Sequence, residues 1–334
     1  MLVSVNRLRE ISVTLLTQHG VPADHAHLQA DLLIEAEMRG LPSHGLQRLP
    51  RVLSRIDKGL TDPQTSGEVS ARRPSFLTID GGRGLGPVVM MRAIAELQNI
   101  VADTGMAAAA IRNTNHIGML AYYAEAAAAQ GLIGIILSTS EALVHPYGGT
   151  DAMLGTNPIA IGIPTGSDPF VLDLATSLVS MGKIHHHALR GDPIPAGWAV
   201  DADGRPTTDA DAAKNGAIAP FGEAKGYGLG LAVELMVSAL AGSAFAPEVH
   251  GTLDDTHPAN KGDLVILIDP AAGSGCSSAL ATYLDRLRNS HPIDPERPVS
   301  VPGDGARSRR AASIAAGIDL PEALFKDLHA LEAA

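Results

Sequence analysis

The chain has 334 residues, 45% of them hydrophobic but only 3% aromatic, a net charge of −11 and one cysteine, Cys276. That length allows two domains and a substantial core, and an acidic chain with no basic patch interleaved with aromatics argues against a nucleic-acid partner. One cysteine excludes an internal disulfide and a cysteine-based zinc cluster; no charge-free apolar stretch reaches the ~20 residues of a membrane span and no signal-peptide pattern opens the chain, so a cytoplasmic protein is expected.

In chain order, Leu8, Ile11, Leu15 and Leu16 recur at helical spacing and stop at Gly20, and a second helix is predicted from Ala23 to Arg39, closed by Gly40. A third is predicted to start at Gly45 and run past Arg48 to Lys58, where Gly59 ends it. Short apolar runs then alternate with helices. Strands are predicted at 76–79, 106–111, 132–137, 159–163 and 170–174, with helices at 87–104 and up to Gln130. Residues 195–206 read as a hairpin turning at Gly204. The helix from Tyr227 to Leu240 is apolar nearly all round, which predicts burial. A strand at 264–268, a Pro/Gly-rich returning loop over 289–305 and helices at 306–317 and 322–331 complete the reading.

Chemistry-bearing residues gather at two junctions between elements. In Leu41-Pro42-Ser43-His44-Gly45-Leu46-Gln47-Arg48, a hydroxyl, an imidazole and a guanidinium lie close together. An imidazole titrates near neutral pH and a guanidinium grips a carboxylate in a fork, a pair suited to proton transfer on a small acid. The alternative is a helix start with a capping Ser43 and a surface Arg48. His116 follows the 106–111 strand and precedes an Ala-rich helix, where side chains and backbone donors converge on ligands.

The usual dinucleotide fingerprint is missing. Gly82, Gly84 and Gly86 follow a strand with the wrong spacing, while Gly226, Gly228 and Gly230 head a helix with no strand leading into it. Both sets read as turn and helix-packing glycines. His185, His186 and His187 are consecutive, cannot all aim at one ion and lack a carboxylate three or four positions on, so no metal is expected. Glu234 reads as a buried, paired carboxylate, and His250 and His257 border a loop without an evident partner.

Together the stretches Ser43–Pro50, Thr114–Leu120, His145–Pro164, Val171–Ser177, the pair Gly182-Lys183 and Ala224–Leu231 resemble the malate/L-lactate dehydrogenase family, in that family's order and over nearly the whole chain. The family also includes ureidoglycolate, sulfolactate and 2,3-diketogulonate oxidoreductases and cyclic-imine reductases. The resemblance implies an α/β fold: a mixed-sheet, non-Rossmann dinucleotide-binding domain with a mainly helical domain built from both termini. The division it suggests is 1–70, a helical segment packing with the C-terminal region; 71–270, the mixed-sheet core; and 271–334, the returning loop and helices.

The activity implied is NAD(P)-dependent interconversion of a small 2-hydroxy acid and its 2-oxo acid, of malate, L-lactate or sulfolactate type. Ureidoglycolate or 2,3-diketogulonate chemistry is the alternative. Lys183, where the imine reductases carry an acidic residue, disfavours that subgroup, and the presence of His44, Arg48, His116 and Lys225 disfavours a non-catalytic homologue. By the same resemblance His44 is the general acid/base, with His116 as its rival, and Ser43, Arg48, Asn115 and Lys183 contact the substrate. Ser140, Asp173, Leu174, Ala175, Lys225, Pro302, Gly303 and Asp304 would contact the cofactor, NAD or NADP with NAD favoured. A small anionic substrate and a homodimer complete the expectation.

Overall fold

The computed structural model describes residues 1–275 and 277–332; Cys276, the lone cysteine, lies outside the described residues. The amino-terminal segment comprises β1 (Leu2–Val3), α1 (Val5–Gln18), α2 (Ala23–Met38) and α3 (Leu49–Asp57). There follow β2 (Glu68–Arg73), β3 (Phe76–Asp80), α4 (Gly86–Thr104), β4 (Met106–Arg112), α5 (Ala121–Ala129), β5 (Ile133–Ser138), β6 (Ile159–Ile163) and β7 (Phe170–Leu174). A smaller unit holds α6 (Met181–Arg190), β8 (Ala199–Val200), β9 (Pro206–Thr207), α7 (Ala210–Ala213) and β10 (Ala217–Ile218). The remainder is α8 (Ala224–Ala241), β11 (Gly262–Ile268), α9 (Ser277–Arg288), α10 (Asp304–Ala316), β12 (Ile318–Asp319) and α11 (Glu322–Glu332).

The central sheet runs β2-β3-β4-β11-β5-β6-β7, and every neighbouring pair is antiparallel except β3 with β4. It is therefore the mixed sheet that was expected. Alternate residues of β4 explain its unbroken apolar run: Ala107, Ala109 and Ile111 face the cluster under α4 and α5, while Ala110 joins Val233 and Val237 of α8 on the other face. Both faces are covered, so both periods read apolar.

A separate cluster fastens the two chain ends. Leu8, Ile11 and Leu15 of α1 and Ile34 of α2 pack with Ile318, Leu320 and Leu328. β1 pairs with β12, and the Met1 ammonium donates to the Leu320 carbonyl at 2.7 Å.

Several elements differ from the sequence reading, among them the short β1, α7, β10 and β12, which it did not include. α3 does not start at Gly45; two 3-10 turns, Pro42–His44 and Leu46–Arg48, precede it. β2 was not predicted because it is a polar edge strand with little burial, so no apolar alternation marks it. α6 and α9 were likewise not anticipated.

α8, predicted buried all round, turns Leu229, Leu235, Met236 and Leu240 outward. By length and composition it is apolar enough to cross a membrane. Yet it packs on the sheet and carries the paired carboxylate predicted at Glu234, which accepts from Asn157 Nδ2 at 2.6 Å and the Ala246 amide at 2.7 Å. The hairpin at 195–206 is present as β8 and β9, with β10 as a third strand.

Candidate active site

The segment 41–48 folds as it does because prolines and one tight contact leave it little choice. Pro42 opens the first 3-10 turn, Gly45 is extended between the turns, and Pro50 sits in the first turn of α3. A Cβ on Gly45 would lie 2.3 Å from Glu37 Oε1, which accepts the Leu46 amide at 2.7 Å. The cramped chain turns His44 across to the loop between β4 and α5. There its ring stacks on His116, with centroids 5.4 Å apart and planes within 10°. The two junctions flagged in the sequence are thus one site.

The electrostatics of the pair follow from its surroundings. His116 Nδ1 accepts from the Gly118 amide at 3.2 Å, so in the neutral ring the proton is on Nε2. His44 Nδ1 is buried without a partner among the described residues. Burial first, and then the Arg48 charge, lowers His44 to about 4; burial, Arg48, His44 and Lys261 hold His116 well below its ordinary range. Both rings are neutral at neutral pH, and their stacking disfavours two charges at once.

One wall of the site is cationic. Arg48 donates from Nε to the Ser43 carbonyl at 2.8 Å and from Nη1 to the Thr252 carbonyl at 3.0 Å. Ser43, expected to contact the substrate, orients Arg48 through its carbonyl. Asn115 is fully occupied: Oδ1 accepts Arg55 Nε at 3.0 Å, and Nδ2 donates to the carbonyls of Arg83 and Gly84. Its evident work is to position Arg55 behind His116.

Arg51, Arg55 and Lys261 were missed in the sequence. The arginines had a visible signal, since 48, 51 and 55 share one helical face. Lys261 had none: it lies buried in an ion pair with Asp263, whose Oδ1 also accepts the Ser138 hydroxyl at 2.7 Å. Glu141 closes the wall from outside, its Oε1 accepting the Thr252 and Leu253 amides.

The predicted cofactor residues fall into neighbouring groups. Asp173, at the end of β7, accepts the Ala121 amide at 2.7 Å at the head of α5. Its side chain is open to solvent yet sunk among protein atoms, the setting of a cleft floor, and burial raises it to about 6. Leu174 and Ala175 follow it, half-buried. Ser140 Oγ accepts the Thr156 amide, and Thr156 in turn accepts from the Thr176 amide. Gly230 of α8 packs on Thr176, which brings the head of α8, with the exposed Lys225, to the same wall.

The loop Pro302-Gly303-Asp304 lies beside β7, where a Cβ on Gly303 would meet the Val171 carbonyl at 3.3 Å. The Asp304 carboxylate is committed to Arg288, Arg307 and the Val301 amide. Lys183 stands outside the arginine wall: its ammonium lies 4.8 Å from the Trp198 ring centroid, while the adjacent Gly182 abuts Ser43.

Comparison with known proteins shows the family. The profile of the malate/L-lactate dehydrogenase family matches residues 3–329. The chain belongs to the malate/L-lactate dehydrogenase family. It is 35% identical over 323 residues to L-sulfolactate dehydrogenase of Methanocaldococcus jannaschii, covering 96% of this chain and 93% of that one. It is 34% identical to the (2R)-3-sulfolactate dehydrogenase (NADP(+)) of Chromohalobacter salexigens, covering 98% and 97%. A solved dehydrogenase of Sinorhizobium meliloti superposes with a TM-score of 0.97 at 68% identity, covering 99% and 98%. The chain is an oxidoreductase of this family.

A malate/L-lactate dehydrogenase works with a nicotinamide dinucleotide, and the residues present suit one. The head of α8 has no side-chain cap on its first amides, carries Lys225, and leaves open space beside Gly228. The Lys225 amide is held by the Gly222 carbonyl at 3.2 Å, and the helix N-terminus with its adjacent ammonium favours a phosphate. Ser140 and Asp173 offer a hydroxyl and a carboxylate on the same side.

Proposed function

We propose that the protein interconverts a small 2-hydroxy acid and its 2-oxo acid, with His44 and His116 at the reacting oxygen and Arg48 on the C1 carboxylate. The stacked histidine pair walled by Arg48 carries this reading. NAD or NADP, held at the head of α8 with Lys225 and beside Ser140 and Asp173, would supply the hydride acceptor for oxidation at C2 and the donor for reduction.

The proton goes to His44. A proton on His116 Nδ1 would break its bond with the Gly118 amide, so His116 stays neutral and presents Nε2–H to the substrate oxygen. In oxidation His44 takes the hydroxyl proton; in reduction it returns that proton to the carbonyl oxygen. A carboxylate seated on Arg48 offsets the guanidinium charge that lowers His44, which moves its pKa back toward working pH in the complex. Lys183, beside the mouth through Gly182, is a second cation toward an anionic substrate.

His44→Asn tests the assignment. We expect kcat to fall by about 10²–10⁴ with dinucleotide affinity unchanged, and His116→Asn to cost less. Equal turnover in His44→Asn and the parent would refute it. We propose further that the protein pairs with a second copy through the outward stripe of Leu229, Leu235, Met236 and Leu240 on α8. Sedimentation equilibrium should give a dimer that Met236→Glu weakens.

A further inference from the structure

We propose that Arg55, assisted by Arg51, forms a second anion subsite that selects 2-hydroxy and 2-oxo acids bearing a carboxylate or sulfonate on C3. The inference deepens the reading above and rests on it for the place of the reacting carbon. A cavity runs from His116 between α2 and α3, beneath Thr252. Arg48, Arg51 and Arg55 all line it, no carboxylate does among the described residues, and Leu32, Leu33 and Val52 supply an apolar flank. Glu141 acts on Arg48 and Arg55, and Asp254 and Asp255 act on Arg55, from outside that lining; three guanidinium groups converging on a half-enclosed space that no carboxylate lines form a site for an anion.

Arg55 itself points to a ligand. Its Nε is taken by Asn115 and its Nη1 by the carbonyls of Asp254 and His257, which lock the guanidinium in place. Its Nη2 is buried with no acceptor among the described residues, on a residue only 5% exposed. A buried guanidinium nitrogen left unpaired is costly, and an anionic oxygen repairs it in a charge-assisted bond. Glu141 does not supply that oxygen: its Oε1 is bound to the Thr252 and Leu253 amides, and its Oε2 is buried without a partner among the described residues rather than bonded to Arg55.

Arg48 would then hold the C1 carboxylate near the histidines, while the second anion reaches deeper toward Arg55. The apolar flank suits the single methylene between them. A substrate ending in a methyl group leaves Nη2 unpaired, and a site built to bond a missing group discriminates strongly.

The test compares kcat/KM for oxaloacetate, sulfopyruvate and pyruvate, and calorimetric binding of succinate, 3-sulfopropionate and propionate to the enzyme–dinucleotide complex. The expected result is a dianion preference of about 100-fold or more over the monoanion in both measurements. The carboxylate and sulfonate arms show which anion is read. In Arg55→Gln the ratio should collapse toward one, and in Arg55→Lys it should be partly restored. Because Arg55 also holds the 254–257 backbone, Arg51→Gln is the second variant. Arg51 is exposed and makes no ion pair among the described residues, and its loss should reduce the ratio about 3- to 10-fold.

Pyruvate turned over as well as the dianions would overturn the subsite and leave the dehydrogenase reading intact. No turnover of any 2-oxo acid would overturn that reading, while succinate against propionate would still decide the subsite. Equal binding of those two refutes it.

Discussion

Gly86→Ala should damage the site from beneath without touching a charged group. A methyl built at Gly86 would lie 2.3 Å from the His116 carbonyl oxygen, 2.6 Å from its carbon and 2.7 Å from the Asn115 oxygen, against the 3.4 Å at which ordinary contact begins. Something must move by about 1 Å. The obstacles are backbone atoms, so no rotamer relieves them. Gly86 opens α4, whose next residues Val88, Val89 and Met90 are buried in the cores, so the yielding part is the loop that carries His116.

Overpacking of this kind costs about 1–3 kcal/mol, and because Gly86 is the first residue of α4 rather than an interior one, alanine's helix preference offsets little of it. The net loss of about 1–3 kcal/mol corresponds to a melting temperature lower by a few degrees. A displacement of about 1 Å at the reacting centre costs about 100-fold in rate. Calorimetry and kcat/KM, with dinucleotide binding as control, measure both. A variant that melts lower but turns over like the parent would refute the placement of His116 at the reacting oxygen. An unchanged melting temperature would refute the tight packing of α4 against the loop.

Two further outcomes follow from the buried charges. His44 is lowered from 6.5 to about 4, so the folded state holds the neutral ring; its contribution to stability is complete above about 6.5 and is lost as pH falls through about 4. Hydroxy-acid oxidation, which needs the neutral base, should therefore keep its kcat/KM below pH 6.5 and fall only toward about 4, and a limb at 6.5 would contradict the buried, Arg48-facing ring. Lys261→Met should cost about 3–5 kcal/mol in urea unfolding, because it strands the buried Asp263 carboxylate on the Ser138 hydroxyl alone. The double variant Lys261→Met with Asp263→Leu should recover most of that loss; a single variant as stable as the parent would contradict the pairing.

Much of the fold was legible because its signals are local. Strands covered on both faces read as apolar runs, and helices ended at Gly40 and Gly59, which adopt the left-handed φ of 73° and 68°. β2 escaped because an exposed edge strand has no buried face to mark it. The stripe on α8 escaped because apolar residues look alike in sequence whether they face the sheet or the outside.

The site divides in the same way. His44, Arg48 and His116 stand in recognisable motifs, and the structure brings them together. The face of Arg48, Arg51 and Arg55 is visible in the spacing but equally describes a solvated helix. It becomes a pocket only when the distant 251–257 segment covers it, through Thr252, Asp254 and His257. Lys261 and Asp263 are two positions apart on what reads as a strand start, and nothing local says that both are buried.

The most direct test of the account is to follow nicotinamide absorbance with NADH and with NADPH against pyruvate, oxaloacetate, sulfopyruvate, a diketogulonate and a cyclic imine, with ureidoglycolate run in the oxidative direction. The account predicts turnover of a 2-oxo acid, lost in His44→Asn. Turnover of the cyclic imine alone, or none of the panel with the dinucleotide bound, would contradict it.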